Sequence, residues 1–207
     1  MGRLDGQIAY LCGPIDDCPD SGSSWRDKIS KLLKRKFSCG VLNPKDKSIY
    51  NEFSDVDDGV LIQKAALAIE NFDYQTASKI MKSVVRADLA MVDHAHFLFS
   101  YIDKDIYTCG SFHELAIASS QRKPCIIVCK QGKRKIPRWL WGFLSHEMFF
   151  DSFDDAITYL DYVDKSKDHL KFWRFFDKGK IYAEEEDVLE RADSVEPQIS
   201  RIYVSSK

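Results

Sequence analysis

The chain has 207 residues, enough for one generous domain with a self-sufficient core. A composition that is 44% hydrophobic and 30% charged excludes wholesale disorder and fibrous repeats. Thirty basic residues against thirty-two acidic ones leave a formal net charge of −2, which argues against nucleic-acid binding by bulk charge.

Residues 7–12 form a short apolar run stopped by Gly13-Pro14, the pattern of a buried strand entering a loop. After a loop rich in Asp, Pro and Gly, Ser23-Ser24 offer N-caps, with Asp27 three residues after Ser24 as a short capping box. Trp25, Ile29, Leu32, Leu33 and Phe37 then share one helical face, with Lys28, Lys31, Lys34 and Arg35 off it. A second short strand, 40–44, ends on Pro44, which completes a βαβ unit.

Residues 45–58 are polar and irregular, and 59–92 turn helical in two pieces broken near Asn71-Phe72-Asp73. A third strand is expected over 97–102, a helix over 111–121, and a fully apolar fourth strand over 124–129. A basic loop (Lys130, Lys133, Arg134, Lys135) leads to Pro137, placed as in the first turn of a helix, and to Trp139-Leu140-Trp141. A fifth strand at 148–150 and an amphipathic helix over 153–163 close the domain.

Strands alternating with helices at this rhythm imply a Rossmann-like or flavodoxin-like α/β fold, with a mostly parallel five-stranded sheet and helices on both faces. We expect this domain over residues 1–165. Residues 166–207 are expected to hold a helical extension, with the aromatic cluster Phe172 to Phe176, and then an acidic tail containing Glu184 to Asp187. In such folds ligands bind beyond the carboxyl ends of the strands, so the loops after Cys12, Asn43, Ile102 and Cys129 are where chemistry belongs.

The N-terminus lacks the pattern of a secretory signal, and Gly6 stands where a myristoylation motif wants Ser or Thr. No run approaches about 18 consecutive apolar residues, as a membrane span requires. Six cysteines, several in apolar strands and none in a Cys-x-x-Cys pair, read as reduced thiols of a cytoplasmic protein without a zinc or redox centre.

Three features at the strand ends carry chemical potential. In Tyr10 to Pro14, Gly13 permits close approach to the backbone and Pro14 stiffens the turn, although any strand-ending turn looks similar. In Cys109-Gly110-Ser111-Phe112-His113-Glu114, Gly110 and Ser111 open a helix whose free amides suit an anion or a sugar hydroxyl. Glu114 there either faces the crevice or caps its own helix. Asp88, on a helix, is either a site residue or a partner of Arg86 or Lys82. A GxGxxG dinucleotide fingerprint is absent. His94-x-His96 has the look of a metal pair, but an i, i+2 spacing in extended chain points the rings to opposite sides. Cys12 and Cys109 lie near the crevice without a placed base. No metal and no cofactor is expected.

Taken in order, Tyr10 to Pro14, Trp25-Arg26, Val41 to Pro44, Asp88-Leu89 and Gly110-Ser111-Phe112-His113-Glu114 resemble the nucleoside 2-deoxyribosyltransferase-like family over about residues 6 to 163. The step from Asp88 to Glu114 matches the family without a gap. The resemblance implies covalent catalysis at an N-glycosidic bond, with Glu114 as nucleophile, Asp88 protonating or holding the leaving base, and Tyr10 orienting Glu114. It places Gly13 and Pro14 against the nucleoside. A helix dipole would keep Glu114 ionised.

Where deoxyribosyltransferases carry Asp six residues before the nucleophile, this chain has Thr108. Related nucleoside-5′-monophosphate N-glycosidases tend to have Ser there, so Thr108, with Ser111 and the basic loop, tilts the expectation towards a phosphorylated substrate. The chain is therefore expected to cleave or transfer at the N-glycosidic bond of a (2′-deoxy)nucleoside or its 5′-monophosphate. It is expected to act as a homodimer or higher homo-oligomer, with its aromatic segments as candidate interface and without membrane or nucleic-acid partners. The other readings are a non-catalytic nucleotide-binding module and a glycohydrolase of a dinucleotide such as NAD.

Overall fold

The computed structural model describes residues 2–15, 18, 20–46 and 58–176. Most of the irregular 45–58 segment and the acidic tail lie outside the described residues. Strands β1 (Ile8–Cys12), β2 (Gly40–Leu42), β3 (Phe97–Ile102), β4 (Cys125–Cys129) and β5 (Phe149–Phe150) form one parallel sheet in the order β2-β1-β3-β4-β5. This is the flavodoxin-like order, and the direction of winding reverses between β1 and β3. Nearly every side chain in the central strands is apolar and buried because helices cover both sheet faces. In β4 all five residues are buried.

Tyr10, Cys12, Leu98, Ile102, Ile127 and Cys129 share a core with Met91 and Val92 of α3 (Tyr74–His94) and with Leu115 and Ala118 of α4 (Cys109–Ser120). The alternate residues of β3 meet the other helices. Phe99 and Tyr101 stack on Phe153 of α5 (Phe153–Lys165), and Tyr101 also meets Trp25 of α1 (Ser23–Phe37). Helix α2 (Asp58–Glu70) pairs with α3 as a helical hairpin.

The break between them falls at the expected place. Phe72 takes the left-handed region at φ 60°, and the Asp73 side chain accepts from the Thr76 amide to start α3.

The start of α1 differs from expectation. Neither Ser23 nor Ser24 provides the side-chain cap, and no box forms with Asp27. Asp20, upstream, accepts from the Gly22 and Ser24 amides at 2.9 Å each, while Gly22 turns the chain at φ 66°. Pro137 likewise precedes a 3-10 turn (Arg138–Gly142) and does not sit within it.

The chain divides into one compact unit through Arg174 and a second from Phe175. Of the expected extension, the first unit holds Leu170 and the fully buried Trp173, whose ring lies 5.2 Å from Phe97 and whose indole donates to the Tyr159 hydroxyl at 2.9 Å. Between Lys165 and Phe176 the only helical element described is a 3-10 turn (Arg174–Phe176).

Candidate active site

Tyr10 lies in the interior of β1, one of the two strands between which the winding reverses. Its hydroxyl donates to Glu114 Oε1 at 2.8 Å and stands 3.5 Å from Asp88 Oδ1. Three elements thus bring together three residues scattered over more than a hundred positions. β1 supplies the phenol, α3 supplies Asp88, and α4 turns Glu114 inward. The inward aim of Glu114 follows from helical spacing, since Ser111, Glu114, Leu115 and Ala118 form the buried stripe of α4. Glu114 does not cap its helix; Thr108 occupies that position, with no side-chain cap bond of its own.

The charge state of Glu114 is set differently from the sequence expectation. Helix α4 begins at Cys109, so Glu114 lies in the second turn and not in the first, where a helix dipole acts most strongly. Burial pushes its carboxyl up to about 7, and the Asp88 charge acts in the same direction. Hydrogen bonds from Cys12 and Tyr10 and the charge of Arg26 pull the other way without prevailing. Burial, and then the Glu114 charge, hold the Tyr10 phenol and the Cys12 thiol well above their ordinary values. Cys12 is consequently a protonated donor, at 3.5 Å from the Ser111 carbonyl, and not a nucleophile.

The remaining expected residues lie at the start of α4 and in the loop after β1. Thr108 and Ser111 are both buried at the start of α4, and Gly110 between them is exposed, with nothing within 4 Å of a Cβ built there. Gly13 serves the protein's own packing. A Cβ there would lie 2.7 Å from the Trp25 ring and 2.8 Å from the Tyr101 carbonyl oxygen. Pro14 is buried beside it.

Arg26 is the main residue that sequence reasoning left without a role. It is fully buried, and it donates to the carbonyls of Gly13 at 2.7 Å and of Pro14 and Gly22 at 3.0 Å, so it ties the loop after β1 to the start of α1. Its guanidinium also lies 4.6 Å from the Trp25 ring centre. The signal was present: Arg26 precedes Ile29 and Leu33 at i+3 and i+7, on the buried stripe.

Asp103, at the carboxyl end of β3, was also missed. Its Oδ2 takes a hydrogen bond from Lys130 at 2.6 Å, and Gln131 donates to its Oδ1. Burial opposes its ionisation, yet these two bonds hold the carboxyl below its usual range. One of the expected phosphate-binding lysines is therefore engaged by a carboxylate.

The two histidines bond to backbone. His96 Nδ1 accepts from the Ile8 amide at 2.9 Å, and His94 Nδ1 lies 2.7 Å from the Ala90 carbonyl. Among the described residues no group of three metal-ligating side chains converges. All six cysteines are free, with Cys109 exposed. Trp139 is 84% exposed and Trp141 44%, while Leu140 between them is fully buried. No helix among the described residues is long and apolar enough to cross a membrane.

The all-parallel sheet, its helices and its strand order define an α/β protein of the flavodoxin-like class. No protein-family model matches the chain, and no curated protein matches it. Among solved structures it is similar to the 2-deoxyribosyltransferase of the psychrotolerant bacterium Bacillus psychrosaccharolyticus. The identity is 15% and the TM-score 0.46, over 72% of this chain and 89% of that one. The likeness is one of fold.

Proposed function

We propose that this protein is an enzyme that cleaves or transfers at the N-glycosidic bond of a nucleoside or 2′-deoxynucleoside, or of its 5′-monophosphate. The observation that carries the reading is the Tyr10 hydroxyl set between Glu114 and Asp88 at the switch point of the sheet. In this reading Glu114 attacks C1′ and the C1′–N bond breaks. The bonding pair leaves with the base, whose nitrogen takes a proton from Asp88. The glycosyl ester on Glu114 is then attacked at C1′ by the nitrogen of a second base, or by water. Asp88 recovers the proton and Glu114 departs as carboxylate.

The active protonation state has Glu114 ionised and Asp88 protonated. The Tyr10 hydroxyl, 2.8 Å from Glu114 Oε1 and 3.5 Å from Asp88 Oδ1, stands between the two carboxyls. Gly13 and Pro14 lie against the nucleoside, and Thr108, Gly110 and Ser111 hold sugar or phosphate oxygens at the start of α4. We assign no cofactor, and we take the enzyme to be a cytoplasmic homo-oligomer.

The test is product analysis by chromatography. The full chain is incubated with nucleosides, their 5′-monophosphates and NAD, each with and without a second free base. A new nucleoside formed only with the added base identifies a transferase, and free base alone a hydrolase. Preference for the monophosphates would support the roles of Thr108 and Ser111. Nicotinamide released from NAD alone would reassign the substrate. Bound but unchanged ligand would make the site a binding module.

A further inference from the structure

Cys12 stands two residues after Tyr10 in β1, so both side chains leave the sheet on the face covered by α3 and α4. Its register partner across the strand pair is Ser100 of β3, and both residues are fully buried. The other sheet neighbours of Ser100 on that face are Leu98, Ile102 and, in β4, Ile127, none of which can accept a hydrogen bond. The Ser100 hydroxyl is shut off from solvent and makes no hydrogen bond to oxygen or nitrogen. A buried hydroxyl left in that state is costly and calls for a reason. Among these sheet neighbours only the Cys12 sulfur can take its proton, and Ser100 acts on that thiol in the sense of a donor.

We propose that Cys12 is a positioning residue for Glu114, its thiol giving the carboxylate a second hydrogen bond beside that of Tyr10, with Ser100 turning the thiol proton forward. Placement carries the argument. The thiol lies 3.5 Å from the Ser111 carbonyl, and Ser111 and Glu114 stand one turn apart on the buried stripe of α4. A sulfur that accepts from Ser100 on one side presents its own proton on the other, towards that stripe. The thiol then has two acceptors: the carboxylate while Glu114 is ionised, and the Ser111 carbonyl once Glu114 is protonated or esterified. The other groups that act on the Glu114 carboxyl are Asp88 from α3, Tyr10 from β1 and Arg26 from α1. The assignment rests on the reading of Glu114 as the working carboxylate, but its test needs no turnover.

The test is the titration of Glu114 in the full chain, followed by carboxyl-carbon NMR of isotope-labelled glutamate. The Glu114 signal is the one lost in Glu114→Gln. Its midpoint lies at about 7 in the native chain. Cys12→Ala withdraws a donor from the ionised form, so the midpoint should rise by about 0.5 to 1 in pH. Cys12→Ser keeps a donor and should hold the midpoint at or below the native value. Ser100→Ala removes a hydroxyl with no oxygen or nitrogen partner, so it should keep the fold. It should raise the midpoint by less than Cys12→Ala does, and should add nothing in the Cys12→Ala background. An unchanged midpoint in either alanine variant overturns the proposal. So does an equal effect of Ser100→Ala with and without Cys12, since Ser100 would then not act through the thiol. A midpoint that moves as expected in a protein without glycosyl turnover would support this placement of Cys12 and count against the proposed reaction alone.

Discussion

At Glu114 the protein sets burial against ionisation, and the balance has consequences that can be measured. The carboxyl rises from an ordinary value of 4.5 to about 7. The native state therefore binds more protons here than the unfolded chain between those two pH values, and stability falls as pH rises through that window. The difference amounts to about 3 kcal/mol as an order of magnitude. Glu114→Gln, which cannot ionise, should accordingly be more stable than the native chain at pH 8. That advantage should shrink towards pH 5, as read by denaturant unfolding at both pH values. The same variant should lose turnover by about ten-thousandfold or more, as when a covalent nucleophile is removed.

The neighbours of Glu114 tune its titration in opposite senses. The Asp88 charge raises the Glu114 carboxyl, so Asp88→Asn should move the acid limb of the pH–rate profile to lower pH while slowing the reaction. The Tyr10 hydrogen bond lowers it, so Tyr10→Phe should move that limb to higher pH. Steady-state kinetics on the preferred substrate, from pH 5 to pH 9 or so, reads both shifts. Unchanged limbs in both variants would mean that Glu114 does not govern the rate.

Among the elements, the loop after β1 depends most on single side chains. Arg26 satisfies three carbonyls of that loop from a fully buried position. Arg26→Met removes the guanidinium and leaves those carbonyls without their donor, for an expected loss of about 3–5 kcal/mol of stability in urea unfolding. Gly13→Ala should cost about 1–3 kcal/mol, because the added methyl meets the Trp25 ring and the Tyr101 backbone. A neutral outcome for Gly13→Ala would mean that the loop yields more easily than its contacts imply.

The strands and the helical hairpin were legible because each is stated locally: β1, β3 and β4 as apolar runs, the hairpin by its Asn71-Phe72-Asp73 break. The α1 cap was not legible, since its acceptor, Asp20, comes from outside the expected box. The convergence of Tyr10, Asp88 and Glu114 could be read only through ordered motifs matched to a family. The elevated Glu114 carboxyl could not be read at all, because it follows from how deeply α4 turns that side chain under the sheet. The same holds for the Asp103 contacts with Lys130 and Gln131, which depend on β3 and β4 being neighbours.

At the scale of the whole molecule, the winding of the parallel sheet reverses between β1 and β3, and Tyr10 of β1 meets Glu114 and Asp88 beside that reversal. The first unit draws Trp173 back into its core after α5, so Trp173→Ala should lower stability by about 3–5 kcal/mol without touching the site.

The central claim is that Glu114 carries the glycosyl group between two acceptors. Rapid acid quenching of the protein with its preferred nucleoside or nucleotide, followed by peptide mass mapping, tests it directly. The account predicts a glycosyl adduct on Glu114 that appears before product and is absent from Glu114→Gln. Turnover sustained at the native rate by Glu114→Gln, or an adduct that maps to another residue, would contradict it.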